Sequence, residues 1–387
     1  MIERHAALSL LAARLQAAAF GADALRDLLG VAYPDDVGLL NRAPALERIR
    51  DHTAPSAVLA RLLYLEADEP LRTVRAVLTR DECARLIAAK LLSRRGTAVH
   101  ARLRLDCVGG LLLLADRRFR AVDPRALGLP AGDMVYPPGA DSALLAQIAA
   151  RLRGNRVLDL CTGSGVLGLT VAAASEQVTA VDINPRAVAL ATSNAVLNGI
   201  ANFRAAVSNL YTVVAGSQFD LILANPPFVP GPLRGPSYHS GGPRGDRVLR
   251  RVVAGLGQHL SPAGRAVIIS HLALRQGEDV AAAVQPWLGQ FRGRVLILRL
   301  ESGTPVDLAA AQSLFALSGG FAAYAREVRQ WVAYLRRHRV VDIALIVLVA
   351  ESGAARPLEV VQALQRTLPL PLSRPAAELV QEWLGLC

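Results

Sequence analysis

Apolar residues recur at intervals of three and four from Ala6 to Phe20 and again from Ala22 to Leu29, predicting two amphipathic helices, the second ended by Gly30. A polar, Pro-containing connection follows, then helices over Ser56–Leu65 and Thr73–Leu78. Thr79 with Glu82 three residues on forms a capping box, which opens a helix through Leu92 that Arg94-Arg95-Gly96 ends. The period then shortens: Ala101–Cys107 and Leu111–Ala115 flank Val108-Gly109-Gly110 and predict a hairpin. Asp123-Pro124 and Gly128-Leu129-Pro130 break any regular pattern between Arg117 and Asp133, which marks a linker. Met134–Ser142 leads into a helix over Leu144–Arg153. From Arg156 strands and helices alternate, with strands at 156–161, 177–183, 202–207, 219–224, 264–270, 293–300 and 341–349. That alternation predicts an α/β fold, a parallel sheet with helices on both faces.

The division expected is a mostly helical unit at 1–130 and a seven-stranded α/β unit at 131–387, with a helical insertion at 305–339 between the last two strands. Several helices followed by a hairpin resemble a winged-helix domain. In such domains the helix before the hairpin often meets nucleic acid, and here it carries Arg80, Arg85 and Lys90. Protein-binding or dimerisation modules share that order, and spaced cations also serve simply as a solvated face. The insertion's Phe315, Phe321, Tyr324 and Trp331 form a stripe expected to be core.

Length and composition narrow this picture little. A chain of 387 residues is long enough for two cores, and with 52% hydrophobic residues no apolar run approaches a bilayer span. Met1-Ile2-Glu3-Arg4-His5 leads into a helix rather than a signal peptide, so the expected compartment is the cytoplasm, with no membrane partner. Cys83, Cys107, Cys161 and Cys387 lack the spacing of a disulfide framework or a zinc site, and no metal is expected. The formal charge of +11 invites a nucleic-acid or ribosomal partner. Lys90 is the only lysine, however, and an arginine-for-lysine bias in an Ala-, Leu- and Gly-rich chain reflects coding composition as readily as function.

Candidate chemistry concentrates at Arg156–Leu169, RVLDLCTGSGVLGL, a strand that runs through a glycine-rich turn into a helix. Gly163 and Gly165 let the backbone curl and approach a ligand, Gly168 admits close helix–strand packing, and free amides at the helix start favour a negative group. Gly163-x-Gly165-x-x-Gly168 fits NAD enzymes equally well. Asp159 before the turn is placed to face the ammonium group of S-adenosyl-L-methionine, and Asp182, ending the next strand, to accept hydrogen bonds from both ribose hydroxyls.

The discriminating feature is Asn225-Pro226-Pro227-Phe228, at the end of the strand 219–224. Methyl transfer from a sulfonium is an in-line displacement, so the catalyst must chiefly aim a nitrogen lone pair. An Asn225 side-chain oxygen and a Pro226 carbonyl, each accepting one hydrogen of a planar NH2, hold that nitrogen. Pro227 stiffens the loop and offers no competing N–H, and Phe228 packs on the flat acceptor.

These motifs resemble the class I methyltransferases with an Asn-Pro-Pro-aromatic (NPPF) motif, above all the HemK/PrmC-like glutamine methyltransferases and their small-domain relatives. Tyr136-Pro137-Pro138-Gly139-Ala140-Asp141-Ser142, Val181-Asp182-Ile183-Asn184-Pro185, and Asn194 with Leu197-Asn198-Gly199 also match. The resemblance implies a Rossmann-like sheet whose last strand runs antiparallel. Implied cofactor contacts are Tyr136, Asp141, Asp159, Thr162, Gly163, Gly165, Asp182, Ile183, Asn209 and Asn225, with Asn225 to Phe228 at the reaction centre. Ser208-Asn209 stands where the family often has an acid near the adenine. The Gly- and Pro-rich stretch Val229–Arg247, with Tyr238, His239, Arg244 and Asp246, is a candidate substrate lid, and Cys161 is expected to be a filler. The acceptor implied is a glutamine amide of a translation protein. An RNA exocyclic amine, a small biosynthetic metabolite, and a non-catalytic winged-helix regulator remain alternatives.

Overall fold

The computed structural model describes residues 2–31, 37–38, 41–118, 133–231, 241–353, 358–363 and 373–385. Most of the expected linker, Tyr238 and His239 of the loop, and Cys387 lie outside these residues, as does the side chain of Phe315.

The front of the chain is helical: Ile2–Ala17, Ala22–Leu29, Arg42–Arg48 and Pro55–Leu59, the last passing into a π turn over Ala60–Tyr64. Strand β1 (Glu69–Pro70), helices Leu71–Arg75 and Arg80–Ala88, and strands β2 (Leu92–Arg95) and β3 (Ala98–Ala101) follow. They form a three-stranded sheet in the order β1-β3-β2. The capping box is present, Thr79 Oγ1 accepting from the Glu82 amide and Glu82 Oε2 from the Thr79 amide. The helix it opens stops at Ala88 rather than Leu92, because Lys90 turns left-handed (φ 59°) and frees Leu92–Arg95 to pair with Ala98–Ala101 around Gly96 (φ 59°).

The expected hairpin is shorter than its apolar pattern. Strand β4 is Arg104–Val108, paired with β5 (Leu111–Ala115) across Gly109 and Gly110, both left-handed. Such a two-residue turn suits glycine. Ala98–Ala101 turns back to β2 instead, and Arg104 is drawn inside, where it bonds Asp106 and the Tyr64 carbonyl at 2.7 and 2.8 Å.

The central sheet comprises β6 (Arg156–Leu160), β7 (Gln177–Asp182), β8 (Phe203–Val207), β9 (Phe219–Ala224), β10 (Leu260–Arg275), β11 (Gly293–Gly303), β12 (Val340–Ser352) and β13 (Glu359–Ala363), in the order β13-β11-β12-β10-β9-β6-β7-β8. All seven expected strands are present, and β12 alone runs antiparallel to its neighbours. An eighth strand, not anticipated, extends the edge parallel to β11. Apolar side chains on the two sheet faces form separate cores under the flanking helices, as expected of strands buried on both sides.

The front core is not self-contained, since it runs into Ala187, Leu190 and Leu197 of the helix Pro185–Leu197. That helix also supplies polar fastening. Asn194, fully buried, accepts from the Leu114 amide at 2.8 Å and donates to the carbonyls of Leu114 (3.0 Å) and Ser164 (2.8 Å), tying β5 to the glycine turn. Asn198 pairs in the same way with Leu112. Between β11 and β12 lie helices Pro305–Gln312 and Phe321–Arg337. The described members of the aromatic stripe are not core: Phe321 is 75% exposed, Tyr324 and Trp331 are half-buried, and only Leu335 of that helix is fully buried. Among the described residues no single helix is long and apolar enough to cross a membrane.

Candidate functional site

The first part of the site is the turn between β6 and the helix Val166–Val171. Cys161, Gly163 and Gly165 all have positive φ (56°, 54° and 89°), and the Gly165 amide closes on the Thr162 carbonyl at 2.8 Å. The glycines have different reasons to be there. A Cβ on Gly168 would lie 2.9 Å from Phe203 and 3.0 Å from Val178, so that position is set by packing. A Cβ on Gly163 would have nothing within 4 Å, so the turn presents bare backbone to open space.

Asp159 does not reach outward. It is fully buried, with Oδ2 accepting from Thr162 Oγ1 at 2.5 Å and the Gly168 amide at 3.0 Å, while Oδ1 is buried without a partner. Burial pushes its carboxyl up to about 7, opposed by those two hydrogen bonds and aided by the nearby Asp182 charge. A buried acceptor in this state favours a cationic or proton-donating neighbour. Cys161 is likewise driven upward by burial, which makes its thiol inert and agrees with a filler role.

Asp182 ends β7 beside the turn. Oδ2 accepts from the Gly163 amide and Oδ1 from the Asn184 amide, each at 2.9 Å, and burial raises its pKa. Each carboxylate oxygen accepts more than one hydrogen bond, so both retain capacity for a pair of hydroxyls. Ile183 next to it is 61% exposed, an unusual position for a large aliphatic, and Asn209 is exposed just past β8. The segment carrying Tyr136 is fixed over this rim. The Val135 amide donates to Asp116 Oδ2 at 2.7 Å, Arg186 ion-pairs with Asp116, and Asn184 Nδ2 donates to the Asp133 carbonyl at 3.2 Å.

The tetrad follows β9, whose neighbour in the sheet is β6, so both loops leave the same edge. Asn225 Nδ2 donates to Asp141 Oδ2 at 2.8 Å and to Ser142 Oγ at 3.0 Å. This fixes the carboxamide orientation, because the reverse would set oxygen against a carboxylate. Asn225 Oδ1 is buried and has no hydrogen-bond partner among the described residues. Phe228 stands edge-on to the His271 ring of β10, centroids 4.5 Å apart and planes at 84°.

His271 was not marked by any sequence pattern. Burial lowers its pKa, partly offset by the Asp141 charge, so the ring beside the tetrad is neutral at physiological pH. The part of the expected lid that is described is anchored: Arg244 Nη2 donates to both carboxylate oxygens of Glu278 at 2.9 Å, and Asp246 pairs with Arg250. A Cβ on Gly245 (φ 80°) would lie 2.0 Å from the Phe228 carbonyl oxygen, so the returning limb lies directly on the tetrad.

Asp159 with a buried, unpartnered oxygen beneath the glycine turn, Asp182 beside it and the exposed Ile183 beyond form a set of groups that suits S-adenosyl-L-methionine. The tetrad's free acceptor suits an NH2 donor beside it. The comparisons agree. The family described as "Methyltransferase small domain" matches residues 139–285, and a domain of unknown function (DUF7059) matches residues 17–102. The release factor glutamine methyltransferase of Xylella fastidiosa (strain Temecula1) is 31% identical over 211 residues, which covers 46% of this chain and 74% of that protein. The Salmonella typhimurium release factor glutamine methyltransferase is 40% identical over 99 residues (24% and 36%), and the ribosomal protein L11 methyltransferase of Rhodopseudomonas palustris is 36% identical over 149 residues (37% and 42%). The chain spans about half or less of the length of several other curated relatives that it matches.

Proposed function

From a chain that belongs to the HemK/PrmC-like class I methyltransferases, enzymes that use S-adenosyl-L-methionine, we propose an activity that moves a methyl group onto the side-chain amide nitrogen of a glutamine in a translation protein. The observation that carries this reading is Asn225: its NH2 is held by Asp141 and Ser142, which leaves its buried oxygen as an unpaired acceptor. A primary carboxamide offers two N–H donors. Asn225 Oδ1 takes one and the Pro226 carbonyl the other, so the nitrogen is held with its lone pair directed at the cofactor's methyl group. Phe228, braced by His271, covers the amide plane. When bound, the cofactor supplies an electrophilic methyl group on a sulfonium.

Asp182 holds the ribose, Ile183 and Asn209 the adenine, and Asp159, Thr162, Gly163 and Gly165 line the opposite end with Tyr136. Asp141 acts through Asn225. The front unit, residues 1–130, with its helix–strand–helix–helix–hairpin order and three-stranded sheet, is a winged-helix-like module that helps to present the acceptor to residues 131–387. The reaction takes place in the cytoplasm, where translation proteins are found.

The test is incubation of the protein with deuteriomethyl cofactor and purified bacterial release factor, followed by peptide mass spectrometry. One labelled methyl on a glutamine side chain is expected. A second arm uses cell lysate treated with nuclease or with protease. Label that survives protease and disappears with nuclease would replace the glutamine with an RNA base amine, the alternative favoured by the exposed Arg80 and Arg85 of the front unit.

A further inference from the structure

The helix Phe321–Arg337 carries two unlike faces. Its inner face grips both limbs of the loop that follows the tetrad. Tyr334 Oη donates to the Pro243 carbonyl at 3.1 Å, and the Trp331 ring lies against Gly231, whose added Cβ would be 3.4 Å from it. Leu335, with Ala273, Val340 and Ile343, plugs the helix onto the same end of β10 that holds His271. The outer face presents Arg326, Arg329, Arg336 and Arg337, all exposed, with Arg339 just beyond. Among the described residues none of the five meets an acidic group.

Elsewhere several arginines do carry acidic partners, Arg14 with Glu82, Arg61 with Glu69, Arg244 with Glu278, Arg265 and Arg294 with Glu351, Arg299 with Asp342, while others, Arg80 and Arg85 among them, are exposed. A general arginine bias accounts for the number of arginines in the chain. What sets this face apart is its place: four exposed arginines share one side of a helix whose other side holds the loop that follows the tetrad, one helix diameter (about 10 Å) away.

We infer that this face is an exosite for an acidic segment of the protein acceptor, engaged beside the glutamine that enters the tetrad. The inference rests on the proposed protein acceptor and specifies what that protein must carry. Charge complementarity selects an anionic partner. Protein is favoured over RNA because the helix's Tyr324, Trp331 and Tyr334 are half-buried, and its one exposed ring, Phe321, precedes the first arginine, so the cationic stripe has no interleaved platform for stacking bases.

The test compares wild-type enzyme with a quadruple variant, Arg326→Glu, Arg329→Glu, Arg336→Glu and Arg337→Glu, and with the milder Gln series. Two acceptors are used, whole release factor and a short uncharged glutamine peptide. At low salt, kcat/KM on the whole protein should fall about ten-fold or more, mainly through KM, while the short peptide changes less than about two-fold. At about 1 M salt, where screening length shrinks to about 3 Å, the two enzymes should converge. Equal losses on both acceptors, or no loss on the whole protein, would overturn the exosite.

Binding is read separately from turnover by fluorescence anisotropy, using labelled poly-glutamate and poly(U) on the intact enzyme. Salt-sensitive poly-glutamate binding that the variant loses supports the exosite even if release factor proves not to be methylated. Tighter binding of poly(U), lost in the same variant, would refute a protein partner at this face.

Discussion

Removing the Asp141 carboxylate separates two roles that its position allows, contact with the cofactor and control of Asn225. In the structure Asp141 Oδ2 accepts from Asn225 Nδ2 at 2.8 Å, and among the described residues Ser142 Oγ, at 3.0 Å, is the only other partner of that NH2. A hydrogen bond to a charged acceptor contributes about 1.5–3 kcal/mol. Without it, Asp141→Ala leaves one neutral bond, and the carboxamide can turn over to present NH2 where an acceptor is required. Converted at about 1.4 kcal/mol per factor of ten, the loss is about ten- to hundred-fold in the methylation rate. Asp141→Asn keeps an acceptor oxygen without the charge and should fall between. The assay is single-turnover methylation at saturating cofactor, with cofactor affinity measured by calorimetry. Affinity within about three-fold of wild type, alongside the slowed rate, is the expected pair of results. An unchanged rate would refute the orienting role, and an affinity that fell in step with the rate would make Asp141 a cofactor ligand instead.

Gly163→Ala tests where the cofactor lies, because nothing among the described residues comes within 4 Å of the added methyl. A left-handed alanine (φ 54°) costs stability about 1–2 kcal/mol, and cofactor affinity measured by calorimetry should drop as well, by at least about thirty-fold, or about 2 kcal/mol. Asp159 gives a pH signature: its carboxyl titrates near 7 when buried, and a cationic ligand favours the ionised form. Cofactor affinity should therefore rise with pH up to about 7 and level off above it, with proton release detectable by calorimetry in buffers of different ionisation enthalpy. A flat profile from pH 5 to 8 would detach Asp159 from the cofactor. Asn194→Ala strands the Leu114 amide and the Leu114 and Ser164 carbonyls in the interior, so a loss of about 3–5 kcal/mol is expected in urea unfolding, together with weaker cofactor binding as the glycine turn loosens.

The parts of this molecule that could be read in advance are those whose chemistry is local. A glycine at φ 54° or two prolines after an asparagine announce themselves within a few residues, and the strands buried on both faces are short apolar runs between turn signals. The boundary after Ala88 was hidden because Leu91 and Leu92 continue the helical apolar pattern, while the left-handed turn falls on Lys90, a residue with no preference for it. The contact between Asp141 and Asn225 joins residues 84 positions apart and leaves no periodic trace, and His271 sits in a strand that looks purely structural. Phe321, Tyr324 and Trp331 lie outside the expected core for a related reason: a stripe at helical spacing says that one face is covered, not that a core covers it. Here Trp331 and Tyr334 lie partly against loop backbone at the surface.

The central claim is that the free oxygen of Asn225 holds the acceptor nitrogen. Asn225→Ala deletes that oxygen while leaving Asp159, Asp182 and the glycine turn in place, so one experiment decides it: cofactor affinity by calorimetry and methyl transfer to release factor, measured on the same preparation. The account predicts affinity near wild type and a rate lowered by about a hundred- to a thousand-fold, the range seen when a preorganised polar group at a reaction centre is removed. Methyl transfer at the wild-type rate by this variant would contradict it.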